Sequence, residues 1–139
     1  MRKLVLLGVA AAVFYAGGGQ HALTSAGSHY AATPAGSITC NSNCALANSM
    51  AASGYGWTGS ETACRDELWT EESGFDPAAV NSQSGATGIP QLLPSAHAVP
   101  PDWSNPVTQV RWGLQYVKDT YGSPCAAWAH EKSTSPNWY

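Results

Sequence analysis

Residues 67–94, ELWTEESGFDPAAVNSQSGATGIPQLLP, decide how this chain is read. The stretch opens as the end of a helix, because Cys64, Leu68 and the pair Glu71 and Glu72 recur at three- and four-residue spacing. Gly74 supplies the left-handed residue that commonly stops a helix. Turn-forming pairs follow at Asp76-Pro77, Asn81-Ser82 and Ser84-Gly85, and Ile89, Leu92 and Leu93 close the stretch with an apolar patch. Acidic side chains therefore stand on the last helical turn, beside a loop of small and polar groups.

That position favours a carboxyl group in its acid form. The carbonyl end of a helix carries partial negative charge and disfavours an ionised carboxylate. Partial burial against Trp69, Phe75 or Leu92 pushes the same way. A carboxylic acid still protonated near neutral pH can donate its proton to a leaving-group oxygen. Helical periodicity does not choose between Glu71 and Glu72, since both lie within roughly a quarter turn of the face carrying Cys64 and Leu68.

A resemblance makes the choice. Glu72-Ser73-Gly74-Phe75-Asp76-Pro77, then Ala79, Asn81 and the unbroken run Gly85-Ala86-Thr87-Gly88-Ile89-Pro90-Gln91-Leu92-Leu93-Pro94, resemble the signature of soluble-type (SLT) lytic transglycosylases. That family is related to goose-type lysozyme. Further on, Gly113 and Tyr116 match its Gly-x-x-Tyr pattern, so the likeness extends over residues 64–128. Two positions depart: Trp128 is followed by Ala129 and His130 where many relatives carry Asn-Ala-Gly, and Pro90 stands where they usually have an apolar residue.

The resemblance implies a mainly α-helical, lysozyme-like domain, with helices around a glycan groove and at most a short irregular or β segment. It implies that Glu72 is the single catalytic acid/base and that Ser73 supports it. Gln91, Tyr116 and Trp128 would lie along the substrate groove. The implied activity is cleavage of the β-1,4 bond between N-acetylmuramic acid and N-acetylglucosamine in peptidoglycan glycan strands. A lytic transglycosylase is the first reading, and a hydrolytic muramidase of the same fold is the second. A non-catalytic secreted glycan-binding protein is the competing class. No cofactor is expected.

Outward from this stretch, the N-terminal residues read as a secretory signal. Arg2 and Lys3 form a charged start, residues 4–16 are apolar, and small residues follow. The apolar run is shorter than the ~20 residues that span a bilayer as a helix. Cleavage is placed after residue 26, with Ala16-Gly17-Gly18 as a rival site and an uncleaved anchor as the alternative. Residues 27–39 lack apolar periodicity and read as a disordered leader, which leaves residues 40–139 as the domain. The expected product is extracellular, associated with the cell wall, monomeric and free of the membrane once the signal is removed.

The chain carries six Lys/Arg against nine Asp/Glu. Without residues 1–26 the count becomes four against nine, a formal charge of −5. Such a balance excludes the basic patch that a nucleic-acid partner requires. It also argues against holding an anionic wall by charge alone.

A core of this size benefits from covalent staples. Four cysteines behind a signal segment imply disulfides, in any of three pairings. Cys40–Cys44 as a local loop and Cys64–Cys125 as a tie to the last helix are favoured. No histidine lies at zinc-like spacing from a cysteine pair, so no metal site is expected.

Further helices are expected over residues 45–53, stopped by Gly54, and from Thr58 or Ser60 to Ser73, with Thr58 and Glu61 as a capping box. Asn105 as N-cap and Pro106 at the first position start a third, with Val107, Val110, Leu114, Val117 and Tyr121 on one face and Gly122 as its stop. Ser123 and Pro124 start the last. Glu71, His97 and His130 read as surface residues, and Asp76 as a turn residue. Of the six tryptophans (Trp57, Trp69, Trp103, Trp112, Trp128, Trp138), one or two are expected in the groove, with Trp128 favoured.

Overall fold

The computed structural model describes residues 39–134. The signal segment, the leader up to residue 38 and Trp138 lie outside the described residues. The chain is mainly helical: α1 (Ser42–Tyr55), α2 (Ser60–Ser73), α3 (Pro106–Tyr121) and α4 (Pro124–Ser133). In place of strands, two isolated antiparallel bridges, Val80 to Thr87 and Thr87 to Leu92, fold the long α2–α3 connection back on itself. Among the described residues no helix is long and apolar enough to cross a membrane.

α1 starts earlier and ends later than its sequence suggests. The Asn41 side chain accepts from the backbone N–H groups of Asn43 and Cys44, both at 3.0 Å, and the Cys40–Cys44 disulfide locks that turn. Gly54 does not stop the helix; Gly56 does, at φ 68°. The extra turn is held by Tyr55, whose ring stacks on Trp57 at 4.6 Å and whose hydroxyl donates to Gln115 at 3.0 Å. These contacts offset the ~1 kcal/mol that a helical glycine costs.

α2 has no side-chain cap, so the expected capping box does not form. Glu61 instead reaches across to α4 and accepts from the Cys125 N–H at 2.9 Å, next to the Cys64–Cys125 disulfide. Gly74 ends α2 as expected, at φ 61°. Phe75 follows at φ 60°, a conformation that is strained for a bulky residue. Its burial holds it there: the ring is 2 % exposed and packs edge-on to Trp69 at 6.0 Å, while Asn43 donates to its carbonyl at 3.0 Å.

Asn105 and Pro106 start α3 as read, and Gly122 stops it. Val107, however, is 36 % exposed, because the first turn projects past the core. Gln109 is the inward residue there. Fully buried, it accepts from the Ile89 N–H at 2.8 Å and donates to the carbonyls of Pro77 at 2.9 Å and Trp103 at 2.6 Å. One amide thus ties three points of the long connection to α3.

α2 packs chiefly on α4, and α1 on α3. Leu68, Trp69, Ile89, Val110, Leu114, Val117 and Ala127 fill the core between them. Gly113 is required by closeness rather than by backbone angle. A Cβ there would stand 2.7 Å from both the Pro90 Cβ and the Trp69 ring.

Candidate functional site

The two helices that frame the site run in the same direction. Cys64 is bonded to Cys125, and seven residues further along each helix Lys132 holds Glu71, with Nζ 2.6 Å from Oε2. Their carbonyl ends, each with partial negative charge, therefore lie side by side. Glu71, Glu72 and Glu131 are all carried by these two ends.

The adjacent glutamates have different surroundings. Glu71 is exposed and ion-paired to Lys132. Glu72 is half-buried, and its pKa is pushed up to about 7, first by burial and then by the charges of Glu131 and Glu71. The placement thus makes a distinction that helical periodicity could not. A carboxyl group in this state holds a proton at neutral pH and can both give it and take it back.

Ser73 does not bond to Glu72. Its hydroxyl donates to the Ile89 carbonyl at 2.8 Å, pinning the helix end to the loop that carries Pro90 and Gln91. Gln91 adopts φ 50°, and its side-chain amide donates to the Gly88 carbonyl at 2.9 Å. Gly88 itself sits against Gln109, which leaves no room for a Cβ.

Gln91 and Tyr116 come together in a hollow of about 210 Å³, which Pro90, Leu93, Ala96, His97 and Trp112 complete. Trp112 and Tyr116, one turn apart on α3, stack at 5.2 Å with their planes 8° from parallel. His97 is half-buried rather than exposed, with its ring edge-on to Trp112 at 5.4 Å and to Tyr116 at 5.5 Å. Tyr121 continues this aromatic lane from Tyr116, at 6.1 Å, and lies 5.2 Å from the half-buried His130 ring. The Tyr121 hydroxyl is pushed well above its usual pKa by burial, then by Tyr116, Glu131 and Glu72, so the lane reaches the field of the two carboxylates.

A larger and more open hollow of about 360 Å³ is lined by Met50, Tyr55, Arg111 and Gln115 among others; neither hollow has a carboxylate in its lining.

Trp128, the favoured groove aromatic, is half-buried against the core, and the Lys132 ammonium sits 4.2 Å above its ring. That cation covers one of its faces. Trp112, which carried no motif signal, lines the hollow instead. The two disulfides are the favoured pairs, Cys40–Cys44 and Cys64–Cys125, and no described cysteine is free. Among the described residues, no three His, Cys, Asp or Glu side chains are grouped closely enough to hold a metal ion.

Sequence reasoning missed Glu131. It is 4 % exposed, and its Oε2 has no hydrogen-bond partner. A lone acid in a short helix followed by a lysine gives no signal of burial; only the packing of α4 on α2 reveals it. Searched against protein-family models, curated proteins and solved structures, the chain finds no match.

Proposed function

We propose that this protein is a secreted, cell-wall-associated lytic transglycosylase of the SLT type, with a lysozyme-like fold, that cleaves the β-1,4 bond between N-acetylmuramic acid and N-acetylglucosamine. The observation that carries the reading is a half-buried Glu72, its pKa raised to about 7, beside the Tyr121 end of an aromatic lane that leads through Tyr116 to the hollow. The order of residues from Glu72 to Pro94 adds the likeness to the SLT signature. Trp112 and Tyr116 offer flat apolar faces to sugar rings, and Gln91 offers an amide. Peptidoglycan glycan strands are the substrate, with no cofactor.

In this reading Glu72 donates its proton to the glycosidic oxygen as the bond from C1 of the muramyl sugar breaks. The positive charge that develops at C1 is met by the carboxylate left behind. The muramyl C6 hydroxyl then attacks C1 and gives its proton to Glu72. The acid is restored and the product is an anhydro sugar. No water is consumed. A hydrolase would differ only in the last step, with the carboxylate activating water.

Mass spectrometry of fragments released from purified cell wall tests the proposal. Anhydro ends, lighter by one water than reducing ends, are the expected result. Reducing ends would make the enzyme a muramidase. Binding to wall without release would make it a glycan-binding protein.

A further inference from the structure

Among the described residues, Glu131 is the buried carboxylate that this mechanism leaves without a task. α4 turns Lys132 outward to Glu71 and turns Glu131 inward, where it is 4 % exposed with Oε2 unpartnered. Because α2 and α4 run parallel and are stapled at Cys64–Cys125, Glu131 cannot move off without unpacking that interface. We propose that Glu131 is a positioning residue for the proton of Glu72: its buried negative charge, held at the same end of the α2–α4 pair, keeps the proton on Glu72. This rests on the reading of Glu72 as the acid.

The surroundings decide which partner holds the proton. Burial and then the charge of Glu71 push the Glu131 carboxyl up, while Lys132 and His130 on α4 pull it back toward the ionised form. On Glu72 every resolved influence, from burial and from Glu131 and Glu71, favours the proton. From α3, Tyr121 faces the same two carboxylates, its hydroxyl held neutral by an upward shift that burial leads. Ionised first, Glu131 holds a negative charge near Glu72 and raises the pH at which Glu72 lets go. Pairs driven apart in this way divide acid and base roles between them.

The test is a carboxyl-carbon NMR titration of the full secreted protein, wild type against Glu131→Gln, alongside the pH profile of wall cleavage. The Glu72 midpoint should move down from about 7 in Glu131→Gln, while staying above the ordinary range because burial, the larger cause, remains. The alkaline limb of the cleavage profile should move down with it, with little loss of activity at acid pH. Should Glu131→Gln fail to fold, the wild-type titration reads the order directly: the Glu131 carboxyl should ionise at lower pH than that of Glu72. A Glu72 midpoint unmoved in folded Glu131→Gln, or a wild-type Glu131 that ionises only after Glu72, overturns the proposal even if the wild type cleaves wall. A wild type inert on wall, with the Glu72 midpoint still lowered in Glu131→Gln, refutes the catalytic reading of Glu72 and leaves the proton coupling in place.

Discussion

Replacing Glu72 with Gln should abolish cleavage and, at alkaline pH, make the protein more stable. Glu72 has a pKa of about 7 in the folded chain against an ordinary value of 4.5. Its folded value is raised, so its contribution to stability is fully present below about pH 4.5 and is lost as pH rises through about 7. The rise from 4.5 to about 7, at ~1.4 kcal/mol per pH unit, gives about 3.5 kcal/mol as an upper bound, which partial solvent exposure reduces. Gln has nearly the same shape and no charge to bury. The two proteins should therefore unfold alike at pH 4, and Glu72→Gln should gain progressively to a plateau above pH 8. In a domain of this size, each kcal/mol moves the midpoint temperature by roughly 4–8 °C. Thermal unfolding of both proteins, disulfides intact, at one-unit steps from pH 4 to 9 reads the effect directly. Stability curves that stay parallel across this range would refute the reasoning, because they would mean that Glu72 is ionised in the folded protein at no cost. Activity should meanwhile fall by roughly a hundred- to ten-thousand-fold, whereas the ion-paired Glu71, changed to Gln, should leave most of it.

Gly113→Ala should destabilise the fold, since its new methyl meets Pro90 and the Trp69 ring at 2.7 Å; the cost is about 1–3 kcal/mol for overpacking, partly offset by helix propensity, and denaturant unfolding measures it. Removing the Cys64–Cys125 link by a double Ser substitution opens a 61-residue separation and should cost about 4 kcal/mol in the chain-entropy model. Calorimetry should show glycan-oligomer affinity falling more in Trp112→Ala than in Trp128→Phe. Trp112 lines the hollow, whereas Lys132 covers one face of Trp128; the opposite order would move the groove to α4.

What the sequence made legible was local. The stop at Gly74, the start at Asn105-Pro106 and the two cysteine pairs each depend on a few neighbouring residues or on helices that must meet, and all stand where the pattern puts them. What it hid was decided by distant partners. Gly54 reads as a stop until Tyr55 is seen stacked on Trp57. Glu61 reads as half of a capping box, yet its carboxylate is engaged by the start of another helix. Gln109 carried no signal in the sequence, because nothing in a one-dimensional pattern shows the carbonyls of Pro77 and Trp103 converging on its amide. Periodicity left Glu71 and Glu72 alike, and only their packing, one exposed and one half-buried, separates them. Glu131 was not legible, since burial of a carboxylate leaves no trace in composition.

An acid raised to neutrality has to sit where the fold would rather not place a charge, and the parallel arrangement of α2 and α4 creates such a place. Antiparallel helices would set one positive end against one negative end. Parallel ones add two negative ends, and three glutamates share the same end of the bundle. Left alone, such ends would splay apart and let water in, which would return Glu72 to an ordinary carboxylate. The restraints act at both levels of the interface. At the start of the helices are the Cys64–Cys125 bond and the Glu61 carboxylate on the Cys125 N–H; at the end, Lys132 bridges to Glu71 and covers Trp128. Ser73 adds the loop, through the Ile89 carbonyl. The staple and the acid are therefore one device: the bond near the beginning of α2 holds the end of α2 in the company that keeps its proton on.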